Sequence, residues 1–389
     1  MNLLIHDLSD NEWNEMASDY EGWEIISDNG RIRSCAGCFN CWLKTPGKCA
    51  IKDGYDHMAE LISKADEVVI MSRYTYGGFS SFVKNVLDRS IGYILPFFRI
   101  YKGEMHHKPR YADVKPFRFI FRGHGLTDED KARASKYVEA VCTNFNGKIN
   151  EIRFVEMAND TLTSKTDAVN SRDYLDGKAI SSDNVKTLLV NCSMRGNNSN
   201  SKKFLDVIGS SVTEKVKSID LVSFNDKTEE LIHDFLSAEK IVLAMPLYVD
   251  GIPSAPLRIM EELEKRHLGG GRKVYVVANM GFYESRQIEN LLGMVKGWCC
   301  KAGFDYCGGI AIGAGEMMGQ VIGYGSNGPG KYVYNDLLKV AAAVNDSERF
   351  EDIYTKSNKF PRFLYLLAAN SGMRKSGKNN GLTKAKMLK

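Results

Sequence analysis

Apolar runs of strand length alternate with amphipathic segments along most of the chain, and this alternation occurs twice. Residues 65–89 align without gaps with residues 238–262, and each stretch has an apolar run, a glycine loop and a helical pattern. In this alignment Gly78 falls on Gly251. Strands that are apolar throughout and alternate with helices are typical of parallel sheets covered on both faces. The pattern predicts an α/β protein with two doubly wound parallel sheets in tandem.

A second repeated stretch extends both units. Residues 117–126 match residues 274–283, again with a strand pattern that runs into a glycine loop and then a helix. Residues 167–184 are polar and have no apolar period, so we place the join between the units there. The predicted division is a first unit, a second unit and a helical, basic C-terminal tail, over residues 1–166, 184–345 and 346–389.

The tail is first aromatic and then basic. Phe360, Phe363 and Tyr365 predict a helix that packs on the second unit or on a partner chain. Lysines and arginines follow with no acidic residue among them. We interpret this basic end as a solvated, frayed terminus rather than a binding segment.

Composition excludes several classes of protein. A chain of 389 residues exceeds the size of a single core, which agrees with two domains. A net charge of +4 gives no reason to expect a nucleic acid or a membrane surface as partner. The acidic N-terminal segment does not resemble a signal peptide, and no apolar run approaches the roughly 20 residues of a membrane helix. We expect a cytoplasmic protein.

The loop that opens the second unit has the composition of an anion site. It follows an apolar strand pattern and runs into a helix that begins near Lys202. Hydroxyls, amides and a guanidinium at a helix N-terminus suit a terminal phosphate, whereas the alternative is a polar turn with a serine cap. The candidate phosphate contacts are Ser193, Arg195, Asn198, Ser199 and Ser201.

Two further loops of this unit follow consecutive strands. Ligands of doubly wound sheets bind outside the carboxyl ends of the strands, at the point where the strand order reverses. One loop offers an aromatic ring and small apolar groups that would edge a flat ring, and the other offers a glycine and amides. The candidate ring contacts are Pro246, Leu247, Tyr248, Gly251, Asn279, Met280, Gly281 and Phe282.

A cysteine-rich loop distinguishes the first unit. Cys35, Cys38, Cys41 and Cys49 have the spacing C-x2-C-x2-C-x7-C. Such a run can enclose a [4Fe–4S] cluster, whereas zinc more often uses two separated C-x2-C pairs. A compact loop with reduced, packed thiols is the other interpretation. In a reducing compartment, a metal-binding or redox-active loop is favoured over disulfides.

The second unit resembles the NADPH-dependent FMN reductase branch of the flavodoxin-like superfamily. SMRGNNSNS resembles its phosphate loop, PLYVDGIPS its isoalloxazine loop and NMGFYE its third flavin loop. The resemblance covers roughly residues 186–319 and implies that FMN accepts hydride from NAD(P)H. Because the flavin performs this chemistry, no catalytic side chain is expected. We interpret the glycines of residues 313–319 as a tight turn before a helix, not a dinucleotide fingerprint.

The first unit resembles the same superfamily with one departure. CAGCFNCWLKTPGKCAIKDG resembles the cysteine loop of iron–sulfur flavoproteins, and SRYTYGGFSSFVKNVLDR resembles an isoalloxazine loop. The resemblance implies a [4Fe–4S] cluster at the four cysteines. After the opening strand, however, Asp7, Asp10, Glu12 and Glu15 stand where the family has hydroxyls and amides, and they would repel a phosphate. We therefore predict a degenerate first unit and one FMN per chain.

These observations predict an FMN-dependent NAD(P)H oxidoreductase that passes electrons to a quinone, a flavin or another small acceptor. One alternative is an iron–sulfur flavoprotein that carries electrons to and from a redox protein partner. Another is a flavin-binding sensor without enzymatic activity. The family resemblance also implies dimers whose flavin pockets draw residues from the partner. A homo-oligomer, or a first unit that supplies this surface, fits that expectation.

Overall fold

A computed structural model of the chain describes residues 1–157, 185–224, 227–356 and 360–388. The predicted join, residues 167–184, lies outside these described residues. The chain forms two compact units. The first comprises Met1–Asn159 together with Pro361–Lys389, and the second comprises Asp160–Phe360.

The first unit is built on a parallel sheet with a flavodoxin-like strand order. Its strands are β1 (Leu3–His6), β2 (Glu24–Ile26), β3 (Val68–Arg73), β4 (Ile94–Tyr101), β5 (Glu104–Pro109), β6 (Lys115–Gly123) and β7 (Gly147–Glu156). The sheet has the order β2-β1-β3-β6-β7, and every neighbouring pair in it is parallel. Strands β4 and β5 form a separate antiparallel hairpin. Apart from this hairpin, the order matches the 2-1-3-4-5 arrangement of flavodoxin.

Some helices of the first unit begin where a side chain caps a backbone amide. They are α1 (Asp10–Met16), α2 (Asn40–Leu43), α3 (Met58–Lys64), α4 (Ser81–Asp88) and α5 (Asp128–Asn144). Ser9 and Glu12 form a capping box at α1, and Thr127 and Asp130 form another at α5. On one face of the sheet, Leu4, Val69, Met71 and Ile120 pack with the aromatic side chains of Trp13, Tyr20 and Trp23.

The second unit has a parallel sheet of the same type with six strands instead of five. Its strands are β8 (Thr187–Asn191), β9 (Val216–Asp220), β10 (Lys240–Pro246), β11 (Lys273–Asn279), β12 (Asp305–Ile312) and β13 (Ile353–Tyr354). The order is β13-β12-β11-β10-β8-β9, and all neighbours are parallel. Its helices are α6 (Asn200–Gly209), α7 (Thr228–Ser237), α8 (Ser254–Lys265), α9 (Glu289–Ala302), α10 (Gly315–Val321) and α11 (Lys331–Asp346). The two predicted doubly wound parallel sheets are therefore confirmed.

The sequence repeat corresponds to a repeated turn in the structure. Thr75 and Gly78 form an antiparallel bridge after β3, and Tyr248 and Gly251 form the same bridge after β10. The helices that follow, α4 and α8, begin at aligned serines. The β4–β5 hairpin that comes after α4 has no counterpart after α8, so the repeat does not predict it.

The C-terminal segment corrects one expectation. Helices α12 (Arg362–Asn379) and α13 (Lys384–Leu388) belong to the first unit, not the second. The Asn370 side chain accepts a hydrogen bond from the Phe98 amide (2.7 Å) and donates one to the Phe98 carbonyl (3.2 Å). Met387 packs with Leu95 and Phe97, so the basic end is an ordered part of the unit rather than a frayed terminus. Among the described helices, α12 included, none has the length and apolar character needed to cross a membrane.

Candidate functional site

The three predicted flavin loops lie at one edge of the second sheet. Asn191, the last residue of β8, pairs with Ala244 of β10, and Pro246 at the end of β10 pairs with Asn279 of β11. The strand order reverses between β8 and β10, because β9 lies on the other side of β8. The loops that follow β8, β10 and β11 therefore surround the switch point at which such sheets bind ligands.

A buried asparagine that we did not predict as a site residue organises the first loop. The Asn191 amide group donates to the Gly196 carbonyl (3.0 Å) and to the Asp220 carboxylate (2.6 Å). Its oxygen accepts from the Ser193 backbone amide (3.2 Å) and from the Ser199 hydroxyl (3.3 Å). These four contacts fix the curvature of the loop that leads into α6.

The loop ends at the N-terminus of α6. The Ser199 hydroxyl caps this helix by accepting from the Lys202 amide (3.1 Å). Asn200 and Ser201 are the first two residues of α6, so their amides have no acceptor within the helix. Ser193, Ser199 and Ser201 are buried there, while Asn198 is exposed. Hydroxyls and amides thus converge at the positive end of a helix dipole.

Arg195 supplies positive charge at the rim of this loop. Its side chain is partly exposed, and its guanidinium lies 3.5 Å from the Glu316 carboxylate. An exposed pair of this kind contributes little stability, so an anion can compete with Glu316 for the guanidinium. Glu316 lies in α10, far from Arg195 in the sequence, and sequence patterns gave no signal for this contact.

Asn279 joins all three loops. Its amide nitrogen donates to the Ser201 hydroxyl (2.8 Å) and to the Met245 carbonyl (3.2 Å). The backbone carbonyl of Asn279 accepts a hydrogen bond from the Leu247 backbone amide (2.7 Å). The side chain is buried, so it acts as a support that holds the second loop and the start of α6 in register.

The second loop is a tight turn with an unusual backbone. Tyr248 and Gly251 exchange two backbone hydrogen bonds, of 3.2 and 3.0 Å. The central residues, Val249 and Asp250, have φ angles of 40° and 60°. Positive φ is rare outside glycine, above all for a β-branched residue, and strained positions of this kind cluster at functional sites. The turn projects from the sheet edge beside Pro246 and Leu247.

The third loop is fixed to the connection between β12 and α10. The Met280 amide donates to the Ile312 carbonyl (3.1 Å), and the Phe282 carbonyl accepts from the Ala314 amide (2.6 Å). A Cβ atom on Gly313 would lie 2.3 Å from the Tyr283 carbonyl oxygen. Gly313 and Ala314 form the short turn between β12 and α10, in agreement with the predicted turn before a helix, and Ala314 has a φ of 51°.

The corresponding edge of the first sheet is filled by its own side chains. The Asp7 carboxylate accepts from the Arg73 amide at 3.0 Å, and Ser9 forms its capping box with Glu12. Glu12 also pairs with the Arg122 guanidinium. Burial would raise the pKa of Glu12, but its hydrogen bonds to Ser9 and Arg122 outweigh burial and lower it. The Glu12 carboxylate therefore stands charged at this helix N-terminus.

The cysteine loop is clamped to the rest of the first unit. Trp42, beside Cys41 in α2, donates its indole N–H to the carbonyls of Ile91 and Ile94, both at 2.9 Å. Arg89 donates to the Ile51 carbonyl (2.9 Å) near the far end of the loop. These contacts explain how a segment with little regular secondary structure holds a fixed path.

Burial and neighbouring thiols raise the pKa values of two cysteines in this loop. Burial, assisted by Asp88 and by the neighbouring thiols, raises the pKa of Cys35 to about 12. Burial and the three other thiols of the loop also raise the pKa of Cys41. All nine cysteines of the chain are free thiols. Within the described ranges, no three His, Cys, Asp or Glu side chains are arranged to hold a metal ion.

Comparison with known sequences gives one local match. No protein-family model matches the chain. The chain is 33% identical over 78 residues to an iron–sulfur flavoprotein of Methanocaldococcus jannaschii. This match covers 20% of the chain and 39% of the relative, so the chain spans about two fifths of that protein's length.

Comparison with solved structures finds flavoenzymes of low sequence identity. An FMN-dependent NADH-azoreductase of Bacillus anthracis, solved with FMN, has 17% identity and a TM-score of 0.32, and covers 41% of this chain and 99% of its own. An NAD(P)H:quinone oxidoreductase of Methanothermobacter marburgensis has 13% identity and a TM-score of 0.31, and covers 42% and 96%. The predicted resemblance is confirmed as far as these findings go: the strand orders described above are flavodoxin-like in both units, and over 78 residues the chain is similar to an iron–sulfur flavoprotein.

Proposed function

We propose that the chain is an FMN-dependent NAD(P)H oxidoreductase whose flavin binds to the second unit. The observation that carries this proposal is the convergence of three loops at the ends of β8, β10 and β11. One loop is an anion-binding helix N-terminus, and the other two present backbone groups and a strained turn beside it. No other edge described in either unit combines these features.

The residues present fit FMN. Ser193 and Ser201 offer buried hydroxyls, and the amides at the start of α6 offer donors for a phosphate. Ser199 would join them by turning its hydroxyl hydrogen from Asn191 to the phosphate. Arg195 and Asn198 would complete that end of the cofactor. The flavin ring would lie along the two remaining loops, against Pro246, Leu247, Tyr248, Gly251, Asn279, Met280, Gly281 and Phe282.

The bound flavin would supply hydride acceptance from NAD(P)H and electron donation to a small acceptor. The chain would contribute binding and orientation. Asn191 and Asn279 hold the loops in place through buried hydrogen bonds, so the position of the phosphate is fixed relative to the ring loops. Quinones, free flavins and other small oxidants are the acceptor classes that we propose.

Charge reversal at Arg195 tests the flavin site. Arg195→Glu replaces a cation beside the phosphate with an anion, and we expect purified protein to lose at least nine tenths of its flavin. Lys339→Glu is the matched control, because Lys339 is an exposed lysine of α11 in the same unit. The control should keep its flavin and its NAD(P)H-driven bleaching. Equal flavin content in the two variants would refute the assignment.

A second candidate function is that of an iron–sulfur flavoprotein that exchanges electrons with a redox protein partner. The local sequence match to an iron–sulfur flavoprotein favours it. The lack of a three-ligand metal-ion arrangement in the described part of the chain argues against a single zinc ion. A cubane cluster binds each thiolate to a different iron, so its cysteines stand further apart than four ligands of one ion.

Anaerobic reconstitution separates the two candidates. Iron, sulfide and flavin bound per chain would be counted, and the spectrum would be recorded before and after addition of NADPH. Flavin bleaching by NADPH without iron supports the reductase alone. A broad visible absorbance from iron, reduced only by an added redox protein, supports the carrier. A reducing compartment suits this free-thiol loop, and we propose a cytoplasmic location.

A further inference from the structure

Two arginines beside the cysteine loop each keep a buried N–H group without an acceptor in the described structure. Arg89 is 2% exposed, and its Nε atom has no hydrogen-bond partner. One terminal nitrogen of Arg110 is also buried without a partner. Native proteins rarely leave buried donors unpaired, and each exception asks for an explanation such as a missing ligand.

Arg89 is held so that its guanidinium faces the loop. One terminal nitrogen donates to the Asp53 carboxylate (2.5 Å) and the other to the Ile51 carbonyl (2.9 Å). Burial would lower the pKa of Arg89, but Asp53 and a side-chain contact with the Cys49 thiol raise it. The unpartnered Nε therefore belongs to a group that touches one of the four loop cysteines.

Arg110 is partly buried and has no carboxylate partner among the described residues. Its guanidinium donates to the carbonyls of Gly92 (2.8 Å) and Met387 (3.1 Å). Burial lowers its pKa, as expected for a cation that lacks full compensation, while Tyr111 and the Cys41 thiol oppose this effect. Carbonyl groups do not neutralise a guanidinium, so an anion beside Cys41 would complete its environment.

We propose that Arg89 and Arg110 neutralise an iron–sulfur cluster bound by Cys35, Cys38, Cys41 and Cys49, and thereby set its reduction potential. Four thiolates around an oxidised cubane give a net dianion, which two guanidinium groups balance. The unpaired N–H groups would donate to cysteine or cluster sulfur. Hydrogen bonds to sulfur and nearby positive charge favour the reduced, more negative cluster. This inference rests on the cluster proposed as part of the second candidate function.

The reduction potential of the reconstituted cluster tests the role of the two arginines. The full chain would be loaded anaerobically with iron and sulfide and titrated with dithionite while its visible absorbance is followed. We expect Arg110→Gln to lower the ratio of reduced to oxidised cluster about tenfold at a fixed potential, which is about 59 mV for a one-electron couple. Arg89→Gln should act in the same direction. Arg110→Lys keeps the charge and should shift the ratio less.

Arg118→Gln is the control, because it removes the same charge from β6, where Arg118 pairs with Glu67 and Glu151. If Arg89→Gln and Arg110→Gln both bind iron and have the wild-type reduction potential, the inference is overturned, although the cluster itself would still be supported. Loss of iron from Arg110→Gln but not from Arg110→Lys would support a requirement for positive charge at this position. Loss of iron from both variants would overturn that requirement. Wild-type protein without iron would instead refute the cluster itself.

Discussion

At the scale of single residues, two buried asparagines determine the geometry of the candidate flavin site. Asn191 makes four hydrogen bonds around the first loop, and Asn279 links that loop to the other two. The sequence pattern identified the polar residues of these loops but gave Asn191 no role. The Asn279–Ser201 bond joins residues 78 positions apart, and only the fold brings them together.

Gly319 offers a prediction at this scale. A Cβ atom at this position would lie 2.1 Å from the Asn200 side-chain oxygen, at the first turn of α6. Gly319→Ala should therefore displace the start of α6 and weaken FMN binding about tenfold or more, measured by flavin fluorescence titration. Gly323→Ala is the control, because a Cβ atom there meets nothing within 4 Å. Equal affinities in the two variants would contradict the proposed phosphate position.

His107 gives the first unit a dependence on pH. Its ring lies against Trp42, with centroids 4.7 Å apart, and its Nδ1 atom is 2.7 Å from the Leu95 carbonyl oxygen. Burial lowers its pKa from 6.5 to about 3. The unfolded chain therefore takes up a proton at a higher pH than the folded chain, and stability falls as pH drops from 6.5 towards 3.

Unfolding in urea, followed by tryptophan fluorescence, measures this effect. The urea concentration at which the first unit is half unfolded should be lower at pH 4 than at pH 7. His107→Gln should make this difference smaller. His124→Gln, which changes an exposed histidine of the same unit, is the control. A fall of the same size in both variants would assign the acid sensitivity to other groups.

At the scale of secondary-structure elements, the repeat predicted the sheets but not what covers the β4–β5 hairpin. Period and composition are local signals, so they identified the strands and helices of each unit. The docking of α12 on β4 joins residues 272 positions apart, and no local signal indicates it. The aromatic residues near α12 predicted a helix packed on the second unit or on a partner chain, whereas α12 belongs to the first unit.

Asn370 tests this docking. Its side chain pairs with both backbone groups of Phe98, and Asn370→Ala would remove both of these hydrogen bonds. We expect a loss of about 1–3 kcal/mol in the free energy of unfolding of the first unit. Asn380→Ala removes an exposed amide that bonds only to the Ser376 carbonyl within the same helix, and it should cost much less. Equal effects in a denaturant titration would show that α12 adds no specific stability through Asn370.

At the scale of the whole molecule, the two units differ in the charge at their switch points. The second unit presents hydroxyls, amides and Arg195, whereas the first presents Asp7 and Glu12, both held by hydrogen bonds. A phosphate beside two such carboxylates meets repulsion of about 4 kcal/mol per pair at an effective dielectric of 20, before relaxation. The hydrogen bonds to Arg73 and Arg122 also hold these carboxylates in place, which limits their rotation away from a phosphate.

The flavin-to-polypeptide ratio measures this asymmetry. After reconstitution with excess FMN, we expect one flavin per chain in the wild type and none in Arg195→Glu. Asp7→Asn, which removes one charge from the first unit, should leave the wild-type ratio unchanged. A ratio of two in the wild type, or a remaining flavin in Arg195→Glu, would show that the first unit also binds FMN.

The division of the first unit into Met1–Asn159 and Pro361–Lys389 has a consequence for biosynthesis. A ribosome translates the whole second unit before it translates α12, so the first unit lacks its C-terminal helices until synthesis is almost complete. The β4–β5 hairpin lacks its two hydrogen bonds with Asn370 during that interval. A purified chain that ends at residue 360 should therefore protect its second unit from protease better than the hairpin of its first unit.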